Sequence, residues 1–158
     1  MIQLNKVLTV DPGLSTGWAY WLGDNKPFAD VIKLEHKEME VITEESQVLE
    51  MWQKFELLYT TYEIKTTYIE SAAVWMGSNK SMAATATGSI TKLAYIIGGY
   101  GRICQQYGSE FKLIKPIHWK GTMHKSAVVK RIQRINGIKY KNHQADAVGI
   151  GFGIMGIL

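Results

Sequence analysis

Apolar positions in the first 35 residues gather into three short runs, at 4 to 11, 16 to 23 and 27 to 35, separated by "DPGLS" and "GDNKP". β-Branched and aromatic residues fill the runs and Gly, Pro, Asp and Asn fill the gaps, the pattern of strands joined by tight turns. An antiparallel meander is expected. From Thr43 to Tyr62 the period changes: Val48, Trp52, Phe55, Tyr59 and Tyr62 recur at three- and four-residue spacing, which is one face of a helix. "TTYIES" reads as a fourth strand ending at Glu70, and 71 to 80, "SAAVWMGSNK", has no period and reads as loop. Residues 81 to 107 return to helical spacing, with Ile90, Leu93, Ala94 and Ile97 on one stripe. The early turns of that helix are rich in Ala, Gly, Ser and Thr, which lets another helix approach closely. "FKLIKP" is a fifth strand stopped by Pro116. A basic helix follows over 124 to 135, then the turn "INGIKYKN" and a last helix from about 143 to the end.

The order βββαβαβαα interleaves strands and helices, as in an α/β fold built on one sheet. A length of 158 residues with 46% hydrophobic and 20% charged positions suits one soluble domain, 1–158, with no repeat, linker or low-complexity segment. The closing "AVGIGFGIMGIL" is shorter than the roughly 20 apolar residues that cross a bilayer. It is expected to be a buried terminal helix, and no membrane partner is expected. No secretory signal is visible at the N-terminus. The single Cys104 rules out an intramolecular disulfide, suits a reducing cytoplasm and reads as a small core residue.

The formal net charge is +4, a modest value whose distribution says more than its size. Positions 112 to 141 hold nine of the 18 Lys and Arg and no acid, whereas 30 to 63 hold nine of the 14 acids. The basic half suits an anionic partner.

Three acids stand apart from the acidic half. Asp11 ends the first strand, Glu70 ends the fourth, Asp146 sits in the first turn of the last helix, and each is flanked by apolar residues. Taken singly, a strand-end acid is a helix cap or a turn former. Taken together on core-facing elements, three like charges repel unless a cation neutralises them. Hard divalent ions such as Mg²⁺ take oxygen ligands and keep several waters, so a few converging carboxylates suffice. His143 lies three residues before Asp146 and shares its helix face, available as a ligand or for proton transfer. An Asp-x-Gly turn after a strand also occurs in the phosphate loops of actin-like ATPases. Those proteins have two lobes and a second Gly-rich loop, for which this length has no room.

With these residues in place the chain resembles the RuvC-type Holliday junction resolvases of the RNase H-like (retroviral integrase) superfamily, nearly from end to end. "VDPGLSTGWAYW" resembles the opening motif, with Asp11 as first metal-binding acid. "YIES" resembles the second motif, with Glu70. "NHQADAVGIG" resembles the last, with Asp146 as final acid and His143 at a fourth ligand position that many members fill with Asp. The resemblance implies a five-stranded mixed sheet with helices on both faces. It also implies two Mg²⁺ ions, replaceable by Mn²⁺, held by Asp11, Glu70, His143 and Asp146. "KPIHWKGTMHKSAVVKRI" falls where the family carries lysines near the scissile phosphate, and Lys120 and Lys125 are the best matches. Trp75 is the candidate for an aromatic that wedges into the junction, and Ser78, Asn79 and Lys80 for backbone contacts.

The activity implied is metal-dependent, paired and symmetric cutting of four-way DNA by a homodimer, whose candidate interface is the small-residue face of helix 81 to 107. The expected setting is the cytoplasm of a bacterium or of a phage-infected host. Two other readings stay open: an RNase H-like nuclease acting on flaps, other branched DNA or RNA–DNA hybrids, and a non-catalytic junction-binding protein. A pure binding module has no use for a buried acidic cluster.

Overall fold

The computed structural model describes residues 2–35, 43–72 and 89–158. The meander forms as the turn signals predict: β1 (Asn5–Asp11), β2 (Ser15–Leu22) and β3 (Phe28–Lys33) pair antiparallel in sequence order. Helix α1 (Glu44–Thr61) is capped by the Thr43 hydroxyl, which accepts from the Ser46 N–H. It leads to β4 (Thr66–Glu70), which inserts parallel to β1 on the side away from β2. Helix α2 (Ser89–Gln106) then leads to β5 (Glu110–Ile114), parallel to β4. The sheet order is β3-β2-β1-β4-β5, five strands of mixed direction.

Three helices follow. Pro116 does more than stop the fifth strand: it opens a short helix, α3 (Pro116–Lys120), where its fixed φ and missing N–H suit a first helical position. Five residues are too few to leave a legible helical period, so this element was not expected from the sequence. The basic helix α4 (Lys125–Asn136) and the last helix α5 (Asn142–Met155) lie within a residue of their expected starts.

Strand alternation sorts the core into two layers. Leu8, Val10, Trp18, Tyr20 and Ile69 face α1 and α2, where Met51, Phe55, Ile96 and Tyr100 cover them. Val7, Ala19 and Trp21 face the other way, against Val148, Ile150 and Phe152 of α5. Helices therefore cover both faces, as expected. The buried stripe of α2 is Ile96, Ile97, Tyr100, Ile103 and Cys104, with Leu93 packed partly against it. Ala94, placed on that stripe by the sequence pattern, is exposed instead. Cys104 is a core residue, with the Tyr59 hydroxyl 3.0 Å from its sulfur. Residues 73–88, which include most of the loop at 71 to 80 and the small-residue first turns of the expected helix, lie outside the described residues. No helix among the described residues is long and apolar enough to cross a membrane.

α5 is buried on nearly every side, from Ala145 to Phe152, and it lies very close to the sheet. A Cβ on Gly151 would fall 2.1 Å from the Trp21 ring, and one on Gly153 2.6 Å from the backbone oxygen of Trp119. The helix is also tied by its own backbone, because the Thr9 hydroxyl donates to the Ala147 carbonyl at 2.8 Å while accepting from the Trp21 indole N–H at 2.9 Å. Gly151→Ala forces Trp21 or the helix to move. A loss of about 1–3 kcal/mol is expected, read in thermal unfolding as a Tm lower by roughly 2–4 °C per kcal/mol.

Candidate active site

Asp11 is the last residue of β1 and Glu70 the last of β4. The parallel register sets Val10 beside Ile69, so the two acids are neighbours at the carboxyl ends of adjacent strands. Side chains alternate along a strand, so Asp11 shares the face of Val7 and Thr9, and Glu70 shares that of Tyr68. That is the face covered by α5. Both acids thus point toward the helix that carries His143 and Asp146.

The start of α5 reaches Asp11 because the residue opposite Asp11 in the sheet is Gly17. A Cβ there would lie 1.9 Å from the His143 carbonyl oxygen, so only glycine admits this approach of backbone to backbone. The His143 Nδ1–H then donates to Asp11 Oδ2 at 2.7 Å. One turn further on, Asp146 is buried with only 9% of its surface exposed. Among the described residues, Asp11, His143 and Asp146 form a group whose ligand atoms all lie within 4.8 Å of one another. Glu70 stands just outside that group, with its Oε2 accepting from the Trp119 indole N–H at 2.7 Å.

Burial dominates the electrostatics. It pushes the Asp11 carboxyl above the usual range, an effect opposed by the His143 hydrogen bond and reinforced by the charge of Asp146. Burial likewise raises Glu70, against the pull of Lys120 and the Trp119 N–H, and Asp11 and Asp146 add to the rise. The hydrogen bond to Asp11 raises His143, holding the imidazole toward its charged form against its own desolvation. Three carboxylates within mutual electrostatic reach call for positive charge, and Lys125 supplies some, with its Nζ 2.5 Å from Asp146 Oδ2. A set of oxygen donors with one imidazole, already attracting an ammonium group, fits a hard divalent cation. Asp11, His143 and Asp146 would hold it, with Glu70 beside them.

Of the four residues expected as ligands, Asp11, His143 and Asp146 come together, and Glu70 lies beside them, within electrostatic reach of Asp11 and Asp146. Lys120 and Lys125, from different helices, both turn to this site, Lys125 onto Asp146 and Lys120 within electrostatic reach of Glu70, with its Nζ 4.8 Å from the Trp119 ring centre. Trp75, Ser78, Asn79 and Lys80 lie outside the described residues. Trp119 is a site residue that the sequence pattern does not reveal. It is buried between the flat face left by Gly149 and Gly153 and the Glu70 carboxylate. Its neighbour Lys120 stands out by its charge, whereas an indole among lysines carries no signal of a partner 49 residues away.

No known family's sequence profile matches the chain, and no curated protein matches it in sequence. Solved structures do match in fold. A RuvC from T. thermophilus, in complex with a Holliday junction substrate, superposes with a TM-score of 0.69 at 17% identity, covering 93% of this chain and 90% of that one. A Thermus thermophilus RuvC structure gives 0.64 at 19% identity, with 96% of both chains covered. The yeast mitochondrial Holliday junction resolvase Ydc2 gives 0.56 at 16% identity, covering 96% of this chain and 79% of that one. The chain has the RuvC, RNase H-like fold.

Cation binding at this group is measurable without any substrate. A hundredfold excess of Mn²⁺ over its Kd is expected to stabilise the protein by about 2.7 kcal/mol, raising Tm by roughly 5–10 °C at this chain length. Asp11→Asn and Asp146→Asn are each expected to remove most of that shift. A full shift in both variants places the ion elsewhere.

Proposed function

We propose that this chain is a single-domain, divalent-metal-dependent DNA endonuclease that resolves four-way junctions by paired symmetric phosphodiester cleavage. The observation that carries the reading is the grouping of Asp11, His143 and Asp146, with Glu70 beside them, at the carboxyl ends of β1 and β4 and the start of α5, on a RuvC fold. Of the solved neighbours with that fold, the yeast mitochondrial protein is described as a Holliday junction resolvase, and a T. thermophilus RuvC is in complex with a Holliday junction substrate.

The four residues would hold two Mg²⁺ ions, with Mn²⁺ as a substitute. Two such ions supply charge for the attacking and leaving oxygens and acidify the attacking water. The work of the chain is to keep the carboxylates charged and fixed. Trp119 holds one Glu70 oxygen in place, and Asp11 fixes the plane of the His143 imidazole. His143 completes a ligand set or takes up a proton. Lys120 and Lys125 add positive charge beside the scissile phosphate. Cytoplasmic action in a bacterium or a phage-infected cell suits the single buried Cys104.

The DNA runs from the active site along the outer face of α4. Lys130, Arg131 and Arg134 lie on that face, opposite the buried Val128 and Ile132, and line a cavity floored by Met123, Ala127 and Ile135. None of the three cations has an acidic partner among the described residues. They are free to neutralise phosphates. A junction has two-fold symmetry and needs two cuts, which a two-fold homodimer provides. Part of the small-residue surface of α2 already has an occupant in its own chain, since Gly99 packs against the Trp52 ring of α1. The partner therefore meets the exposed Gly98 and Tyr95 side of that groove.

Cutting of labelled four-way, flap and linear DNA, followed on gels, tests the reading. The four-way junction is expected to be cut by far the fastest, and Asp11→Asn is expected to lose about 10³-fold or more in rate while still retarding the junction. Cleavage by Asp11→Asn in Mg²⁺ at the native rate overturns the metal-site argument, and faster cutting of flaps moves the substrate to other branched DNA. Arg131→Ala and Arg134→Ala are each expected to weaken junction binding and to reduce its salt slope by about one, with the rate at saturation unchanged.

A further inference from the structure

Asp11 is gripped from the α5 side by His143. The turn that follows it, Pro12 to Leu14, is gripped from the opposite side by a group that the chemistry above does not use. Among the described residues, Pro12, Gly13 and Leu14 form no backbone-to-backbone hydrogen bond outside the strands. The turn depends instead on one hydroxyl. Thr16 Oγ1 accepts from the Gly13 N–H at 3.1 Å and donates to the Gly13 carbonyl at 2.7 Å. It also lies 2.8 Å from the Tyr100 hydroxyl.

Counting protons fixes the direction of the last contact. A threonine hydroxyl has one proton, which Thr16 gives to Gly13, so Tyr100 must be the donor to it. Both residues are fully buried. The Tyr100 ring is itself locked, stacked on Phe55 of α1 with centroids 3.8 Å apart and planes 14° from parallel. A rigid chain therefore runs from α1 through α2 to the turn beside Asp11.

We propose that Tyr100 and Thr16 are positioning residues for the metal centre: together they set where β1 ends and so where the Asp11 carboxylate stands. The proposal rests on the reading of Asp11, Glu70, His143 and Asp146 as a metal-dependent nuclease site. His143 fixes the carboxylate on one face of the sheet, and the Thr16–Tyr100 pair fixes the backbone that carries it from the other. Neither touches the reacting atoms. Their effect comes through ligand placement, where groups that orient a ligand are typically worth 10–100-fold in affinity.

The test uses the full chain with Tyr100→Phe, Thr16→Val and Thr16→Ser. Three quantities are read: Mn²⁺ affinity by calorimetry without DNA, the cleavage rate of a four-way junction at saturating Mn²⁺, and junction binding in EDTA. Tyr100→Phe keeps the stacked ring and removes one oxygen, and Thr16→Val keeps the shape and removes the hydroxyl. Both are expected to weaken Mn²⁺ about tenfold or more and to slow cleavage, with junction binding in EDTA unchanged. Thr16→Ser restores the hydroxyl and is expected to recover most of the native affinity. If Tyr100→Phe lowers Tm but keeps native Mn²⁺ affinity and cleavage, the pair is merely structural and the proposal is wrong; this variant decides the matter should Thr16→Val fail to fold. If the native chain itself binds no Mn²⁺ and cuts no junction, the nuclease reading fails instead, and the positioning role falls with it.

Discussion

The close approach of α5 to the sheet is the constraint on which the site depends. Asp11 and Glu70 belong to the sheet, His143 and Asp146 belong to the helix, and no ligand group exists unless the two surfaces come within side-chain reach. Ordinary helix-on-sheet packing leaves a layer of side chains between the backbones. Here that layer is absent at Gly17, where the His143 backbone takes the place of a Cβ, and at Gly151 it is reduced to one side chain, the Trp21 indole lying directly against the helix backbone. The Thr9 hydroxyl completes the attachment by bonding to an α5 carbonyl.

Such proximity has an electrostatic cost. Burial raises Asp11 and Glu70, and the neighbouring acids reinforce the rise. The fold offsets this with groups that favour charge: His143 on Asp11, Lys125 on Asp146, and the Trp119 N–H with Lys120 on Glu70. Each acid thus has its own counter-group from a different helix or helix end. A site balanced in this way keeps its carboxylates available to a divalent cation without losing the packing around them. That balance also explains why α3, only five residues long, matters more than its size suggests: it carries both groups that attend Glu70.

The proposed nuclease and the positioning pair fit one picture of a site held from both faces of a sheet. α5 supplies chemistry from one side, and α1 and α2 supply rigidity from the other through Phe55, Tyr100 and Thr16. A two-sided hold suits in-line phosphoryl chemistry, in which a displacement of about 1 Å costs orders of magnitude in rate. The free cations on α4 then extend the site outward, along a face that the core does not need.

Much of this was legible in the chain itself. Period-two runs ending in Asp11 and Glu70, the three-residue spacing of His143 and Asp146, and the basic stretch from 112 to 141 are local patterns. They follow from strand and helix geometry within a few residues, so the acids and the order of elements could be read directly. The short helix α3 left no period to read, and Trp119, Gly17, Thr16 and Tyr100 carry no local mark of what they do. Their partners lie 49 residues away for Trp119, 126 for Gly17 and 84 for the Thr16–Tyr100 pair. Short-range periodicity determined which residues were chemically suited to a metal site. Only tertiary packing decided that they meet, because the distance between a sheet and a helix is set by side chains that are absent and hydroxyls that are buried, and neither leaves a pattern along the chain.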